Sequence, residues 1–314
     1  MAVGPRGPWE VQQLNDRSFA ASGIVFTSIS ALIYGMLPIM TNLSFREGSN
    51  AETFNLFKSA WAIPVLGAVL IIKRQSIRLP RRLACRMVLA GIMGKGITSL
   101  LLYASYNTIS SGMATTLHFL YPIFAAMLGR LVLKRALPRY KWLALVVATL
   151  SVALLVDPAG GGSPSGIVCA AASGAVYAAY ILTVDATGIA VLDPLVFAFY
   201  LAVSGSGFSL AYGLCTGTLR FGLSAGAHLY MALAAVSTSI AAAALLQQGI
   251  RRLGGTTAAI FSLFEPVSSC VFGALFLGER MSARAVGGIA LILGGVLYMI
   301  VCDLRTQRAR LADR

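Results

Sequence analysis

The chain has 314 residues, 57% of them hydrophobic and 11% charged, less than half the share of charge that an ordinary soluble domain carries. That balance excludes a water-soluble globular domain and describes a polytopic membrane protein. The net charge of +14 invites a nucleic-acid reading, but the basic residues follow the loops and no aromatic stacking pattern interleaves them, so no nucleic-acid partner is expected.

Residues 1–18 are polar and carry prolines, and they read as a cytoplasmic N-terminal segment. The apolar stretch that follows is too long for a typical signal-peptide core with a cleavage site, so the first helix is expected to stay. At about 20 apolar residues per crossing, the pattern predicts ten helices at 19–42, 52–72, 86–107, 110–133, 140–156, 165–184, 194–215, 226–248, 254–277 and 284–302. Every backbone group in lipid must be satisfied without water, and apolar runs of this length do so as helices. Asp157–Ser165, DPAGGGSPS, is a turn that no helix crosses. It divides the chain into halves 19–157 and 158–303, with 304–314 as a basic cytoplasmic tail.

The halves repeat. Ser111–Leu137 returns in shape as Gly255–Met281 under a shift of 144 positions, which carries Pro122 onto Pro266 and Gly129 onto Gly273. Five spans per half is an odd number, so the second copy enters the membrane from the opposite side and the repeats are inverted. With the N-terminus inside, cytoplasmic segments hold 19 Lys and Arg while outer loops hold only Arg46, Arg220, Arg280 and Arg284. This bias places both termini in the cytoplasm. The fold class expected is therefore an all-α membrane protein of ten transmembrane helices in two inverted five-helix repeats, a plan common among carriers that bind solute at the midplane.

Ionisable groups in the hydrocarbon layer are expensive and are site candidates by default. Lys95, in Gly91-Ile-Met-Gly-Lys-Gly96, lies deep in the third span; it either holds an anionic substrate group or pairs with an internal carboxylate. Glu265 lies near the midplane of the ninth span before Pro266. It is a proton-coupling candidate, a site for a substrate amine, a counter-charge to Lys95, or a carboxyl kept neutral by a neighbouring hydroxyl. His118 and Tyr121 are three apart and share a helix face, with Tyr121 at the position Glu265 holds in the second half; they line a cavity or pack through hydrogen bonds. Lys58 is close enough to the outer surface for its stem to snorkel.

A second tier comprises Tyr34, Tyr103, Tyr106, Asn107, Tyr177, Tyr180, Gln247 and Gln248. Tyr103 falls on Gln247 under the 144 shift and Tyr34 on Tyr177 under a shift of 143, as expected of a cavity between repeats. The cysteines at 85, 169, 215, 270 and 302 are isolated and read as small buried hydrophobes. With only two histidines and no Cys or carboxylate set near them, neither a metal site nor another cofactor is expected. Gly94-Lys95 lacks the upstream glycine and strand of a phosphate loop. Ser204-Gly205-Ser206-Gly207 lacks the strand-turn-helix setting of a nucleophile elbow. Gly287, Gly288, Gly294 and Gly295 form a close-packing face that would suit a homodimer.

Phe261-Ser-Leu-Phe-Glu265-Pro266, with Phe276-Leu-Gly278-Glu279-Arg280 and the glycine-rich run Ala285–Gly295, resembles the second repeat of the drug/metabolite transporter superfamily, in particular its EamA-type members. Ser111–Val156 resembles the partner repeat. The resemblance covers nearly all of 19–302 and implies ten helices, a central cavity and movement of small metabolites, often as exporters of amino acids or related compounds. Two departures stand out: Lys134-Arg135 replaces a Gly-Glu pair, and Lys95 is an uncommon charge that favours a carboxylate-bearing or otherwise anionic solute.

The expected protein is a secondary transporter, not an enzyme, in a bacterial-type plasma (inner) membrane, with a small-molecule substrate and membrane lipid as its partners. Its site would contain Lys95, Glu265, His118, Tyr121, Tyr103, Gln247, Tyr34 and Tyr177. The rivals are an intramembrane enzyme, which needs a convergent nucleophile and base or a metal set, and a receptor that binds solute without moving it.

Overall fold

The computed structural model describes residues 8–105, 108–109, 114, 117–132, 134, 138–152, 163–277 and 283–312. Among these residues the secondary structure is helical throughout. In the first half, α1 (Pro8–Gly35) and α2 (Leu37–Arg46) join at Met36, and α3 (Ala51–Ala60) and α4 (Ala62–Ile72) join at Trp61. Next, α5 (Arg81–Gly91) passes through a π-helical segment, Ile92–Ile97, into α6 (Thr98–Ser105), followed by α7 (Tyr121–Leu131) and α8 (Arg139–Val152). The second half contains α9 (Pro164–Ala186), α10 (Pro194–Thr216), and α11 (Ala225–Ala234), which continues through a second π segment, Ala235–Ala242, into α12 (Ala243–Leu253). It closes with α13 (Gly255–Phe261), α14 (Phe264–Leu277) and α15 (Ala283–Ala312).

Six stretches are long and apolar enough to cross a membrane: 19–46, 51–72, 81–102, 164–186, 194–216 and 225–253. The other four expected spans, 110–133, 140–156, 254–277 and 284–302, fall on segments that are interrupted, shorter, or partly outside the described residues. The polar segment before 19 and the tail after 303 do not start separate elements. The first helix already begins at Pro8, and α15 runs on to Ala312.

Local chemistry explains the boundaries. Asn50 caps α3 by accepting from the Thr53 amide, and its own amide donates to the Thr218 carbonyl at 2.6 Å, which ties two loops together at one end of the bundle. Asp193 caps α10 through the Leu195 and Val196 amides, and Ser224 caps α11 through the Ala227 amide. Such side-chain caps satisfy helix-end donors that have no partner within the helix.

Two irregularities occur at matching places in the two halves. Displaced by 144 positions, the π segment Ile92–Ile97 falls on 236–241, within the second π segment. Pro122 and Pro266 each sit one or two residues inside a helix that starts afresh after a turn, at 119–120 and at 262–263. Proline cannot donate to the ladder of the preceding turn, so the helix breaks ahead of it and restarts where the missing N–H costs nothing.

Packing exchanges partners in the same way. α1 lies against α12 and α14 of the other half, while α9 lies against α6 and α7 of the first. α3 packs on α10, and α8 on α15. The largest apolar core gathers around Met87, Phe119, Tyr121, Ile181, Phe197, Leu246 and Phe261, all buried and drawn from both halves. In α15, Gly287 and Gly294 face open space, whereas Gly288 and Gly295 are buried.

Candidate functional site

The π segment of the first half presents Lys95 to the interior. A π turn carries one more residue than the α-helix around it and leaves a carbonyl without its usual partner. Here the Lys95 carbonyl is taken by the Asn55 side-chain amide at 3.0 Å. The glycines on either side are required by close approach: a Cβ on Gly94 would sit 2.7 Å from the Tyr180 ring, and one on Gly96 would sit 2.5 Å from Phe208. Lys95 is only 8% exposed. Its Nζ donates to the Tyr34 hydroxyl at 3.2 Å and lies 5.1 Å from the centre of the Tyr34 ring.

Glu265 stands in the first turn of α14, where the positive end of the helix dipole favours a carboxylate. Its backbone amide donates to the Ser262 carbonyl at 2.9 Å, across the break that precedes Pro266. Its carboxylate acts electrostatically on Lys95, Tyr34, Tyr121 and Tyr177. Among the described residues the two charges do not form a contact ion pair. Lys95, Tyr34 and Glu265 therefore belong to one electrostatic cluster.

The aromatic wall of the cluster is continuous. Tyr121 and Tyr177 meet edge to face with centroids 4.9 Å apart, Tyr177 and Tyr180 are 5.5 Å apart, and His118 lies 5.6 Å from Tyr121 and 5.4 Å from Tyr177. The His118 tautomer follows from its partner. Ser173 spends its single hydrogen on the Ala170 carbonyl at 2.6 Å, so it accepts from His118 Nδ1 at 2.9 Å, which leaves Nε2 as an acceptor. Tyr121 is fully buried, and its hydroxyl, close to Ser262, closes no hydrogen bond of good geometry.

Lys95, Glu265, His118, Tyr121, Tyr34 and Tyr177 are thus brought together, and Tyr180 joins them. Gln247 lies elsewhere. Its amide donates to the carbonyls of Ala190 and Leu192 at 2.9 and 2.6 Å, pinning α12 to the 3-10 turn Ile189–Val191. Tyr103 lies on α6, but its side chain is outside the described residues, as are Tyr106 and Asn107. Lys58 departs from expectation: it is 3% exposed and does not snorkel. Its helix face turns toward α10 and the second π segment, whose Ser239 hydroxyl donates to the Lys58 carbonyl at 3.4 Å.

Sequence reasoning missed Asn55, Ser173 and Ser209, the hydrogen-bond supports of the cluster. Asn55 carried a usable signal, since it is an amide inside an apolar span three residues before a lysine. The serines carried none, because membrane helices use serine freely for packing. Among the described residues no three His, Cys, Asp or Glu side chains converge as metal ligands would.

Comparison with known proteins places this geometry. A family model described as the EamA-like transporter family matches the chain twice, at residues 21–157 and 164–301. The uncharacterized transporter YcbK of Bacillus subtilis (strain 168) is 25% identical over 301 residues, covering 89% of this chain and 94% of its own. The uncharacterized transporter sll1319 of Synechocystis sp. (strain ATCC 27184 / PCC 6803 / Kazusa) is 25% identical over 251 residues, covering 76% of this chain and 75% of its own. One crystal structure superposes with a TM-score of 0.73 over 91% of this chain and 99% of that one, at 16% identity, a likeness of fold.

Proposed function

As a member of the EamA-like transporter family the chain is a multi-pass membrane transporter, and we propose that it carries a small organic anion or zwitterion, an amino acid or organic acid, by alternating access. The observation that carries this reading is Lys95, buried between the halves and held by the Tyr34 hydroxyl with Glu265 within its field. A cation kept in an apolar layer without a contact ion pair is poised for a negative group that comes and goes. In this reading the solute carboxylate lies on Lys95 and Tyr34, an amine or a proton is held by Glu265, and the wall of Tyr121, Tyr177 and His118 covers the apolar part.

Movement is proposed as rocking between two inverted halves of five spans each, 19–157 and 158–303, ten helices in all. Both termini are placed in the cytoplasm, the membrane is a bacterial-type inner membrane, and export is the direction. The exchange of packing partners between halves, and the matching π segments and proline breaks, supply paired joints about which such rocking would occur. The open face of α15 at Gly287 and Gly294 is where a second copy would dock.

The test is flux in proteoliposomes, after a thermal-shift screen of amino acids, organic acids and nucleosides has found a solute. Glu265→Gln is expected to abolish flux driven by a pH gradient while leaving solute binding measurable. Unchanged proton dependence would remove Glu265 from the coupling role. Binding that saturates without any flux would favour a receptor.

A further inference from the structure

A second buried lysine, Lys58, stands on the helix whose Asn55 holds the Lys95 carbonyl. Asn55, Lys58 and Ser59 stand at spacings of three and four on α3 and so share one face. That face is fastened to the first π segment by the Asn55 amide, which donates to the Lys95 carbonyl at 3.0 Å and to Ser209 Oγ at 2.8 Å. Gly205 of α10 makes the room: a Cβ there would lie 2.5 Å from the Lys95 Cβ and 3.6 Å from Ser59 Oγ. Thr98 is one turn beyond Lys95 on the same run of helix. Lys58 and Lys95, 3% and 8% exposed, act on each other electrostatically.

Of the two lysines Glu265 acts on Lys95, and among the described residues no carboxylate pairs with Lys58. Moreover, Asn55 Oδ1, Ser59 Oγ and Thr98 Oγ1 are buried without hydrogen-bond partners. Buried polar atoms are nearly always paired, so three orphans on the Asn55–Ser59 face and on the helical turn after Lys95 mark a place that something else fills. Two hydroxyls can donate and lysine ammoniums only donate, so acceptor oxygens bearing negative charge complement them, while the acceptor Asn55 Oδ1 suits a lysine N–H.

We propose that Lys58, Lys95, Ser59 and Thr98 form a two-cation site for a compact dianionic oxyanion, either a short dicarboxylate or a phosphate group. The inference rests on the reading of Lys95 as a substrate contact and narrows the solute from anions in general to doubly charged ones. Lys95 serves both; Lys58 is specific to the second charge.

The test uses the purified full-length protein in nanodiscs, titrated with succinate, inorganic phosphate and acetate. Wild type should bind succinate or phosphate at least about tenfold more tightly than acetate, and whichever binds identifies the source of the charge. Lys58→Met should lower dianion affinity by about tenfold to a hundredfold and acetate affinity by less than about twofold, whereas Lys95→Met should lower both. Size-exclusion and melting profiles check folding. If Lys58→Met fails to fold, Ser59→Ala and Thr98→Val keep the charge and should each lower dianion affinity by about threefold to tenfold. An unchanged dianion-to-acetate ratio in these variants overturns the proposal, as does wild type that binds acetate or an amino acid through Lys95 but no dianion; both leave the carrier reading standing. If Lys95→Met alters no solute's binding or flux, the carrier site and the two-cation site fall together.

Discussion

Replacing Lys95 and Glu265 singly and together separates the charge they share from what each costs by itself. Lys95→Met removes a charged hydrogen bond to Tyr34, worth about 1.5–3 kcal/mol, and a cation–π contact of about 0.5–2 kcal/mol. Removing one partner of a buried charge pair costs about 3–5 kcal/mol because the other is left uncompensated, whereas replacing both is neutral or stabilising by about 1–4 kcal/mol. Lys95→Met alone is therefore expected to destabilise, since Glu265 loses its counter-charge in the process. Opposite charges about 4 Å apart at an effective dielectric constant of about 20 interact by about 4 kcal/mol, and because Lys95 and Glu265 form no contact ion pair a smaller coupling of about 2–3 kcal/mol is expected. Lys95→Met made in a Glu265→Gln background should therefore be more favourable, by about 2–3 kcal/mol, than the same change in wild type. Equilibrium unfolding in mixed detergent micelles, measured for the four proteins of the cycle, reads this directly. Additivity within about 0.5 kcal/mol would refute the shared charge and detach Glu265 from Lys95.

Three further outcomes follow from the packing. Gly94→Ala should destabilise by about 1–3 kcal/mol through overpacking, since its Cβ meets the buried Tyr180 ring at 2.7 Å; Gly67→Ala, with nothing within 4 Å, should stabilise by up to about 1 kcal/mol in the same melting assay. Ser173→Ala should cost about 1–3 kcal/mol by stranding the His118 Nδ1 donor, and the His118 ring resonances should shift in NMR spectra. Gln247→Leu should cost a comparable 1–3 kcal/mol or so in unfolding experiments, because the carbonyls of Ala190 and Leu192 lose their donor, while solute affinity stays unchanged.

Six of the expected crossings, 19–46, 51–72, 81–102, 164–186, 194–216 and 225–253, were readable because lipid imposes a simple demand: about 20 apolar residues per crossing. The proline breaks were readable too, since Pro122 and Pro266 stand out in otherwise apolar runs. Within the cluster, Lys95, Glu265, Tyr34 and Tyr177 were visible because an ionisable or phenolic group deep in a span is conspicuous. Gln247 misled for an instructive reason. Its alignment with Tyr103 under the repeat shift suggested a shared cavity, yet a side-chain amide is equally suited to holding two loop carbonyls, and residue type does not distinguish the two uses. Lys58 misled through distance along the helix. Nearness to the end of a span permits snorkelling, but the side chain goes where neighbours leave room, and Lys58 is buried on a helix that packs on α10 and the second π segment. The π segments were invisible, because a single extra residue in a helical turn leaves no mark in an apolar pattern.

Those π segments bear on how the cluster could change state. Each half has one, Ile92–Ile97 and Ala235–Ala242, and a proline break, before Tyr121 and before Phe264, and the partner-exchanged packing sets them against α1 and α9 of the opposite halves. An ordinary helix transmits motion as a rod, whereas a π turn has carbonyls whose partners lie outside the ladder, here Asn55 on the Lys95 carbonyl. Such a bond reports the relation between two spans, because it persists only while α3 and the first π segment stay in register. The same hydrogen bond that frees Lys95 to face the interior therefore also couples its position to α3, so that moving one span against the other reorients the ammonium. If Lys95 binds solute as proposed, the same six residues are both site and joint, and bound solute would favour one arrangement of the spans over another, which is what a ligand must do to shift a conformational equilibrium.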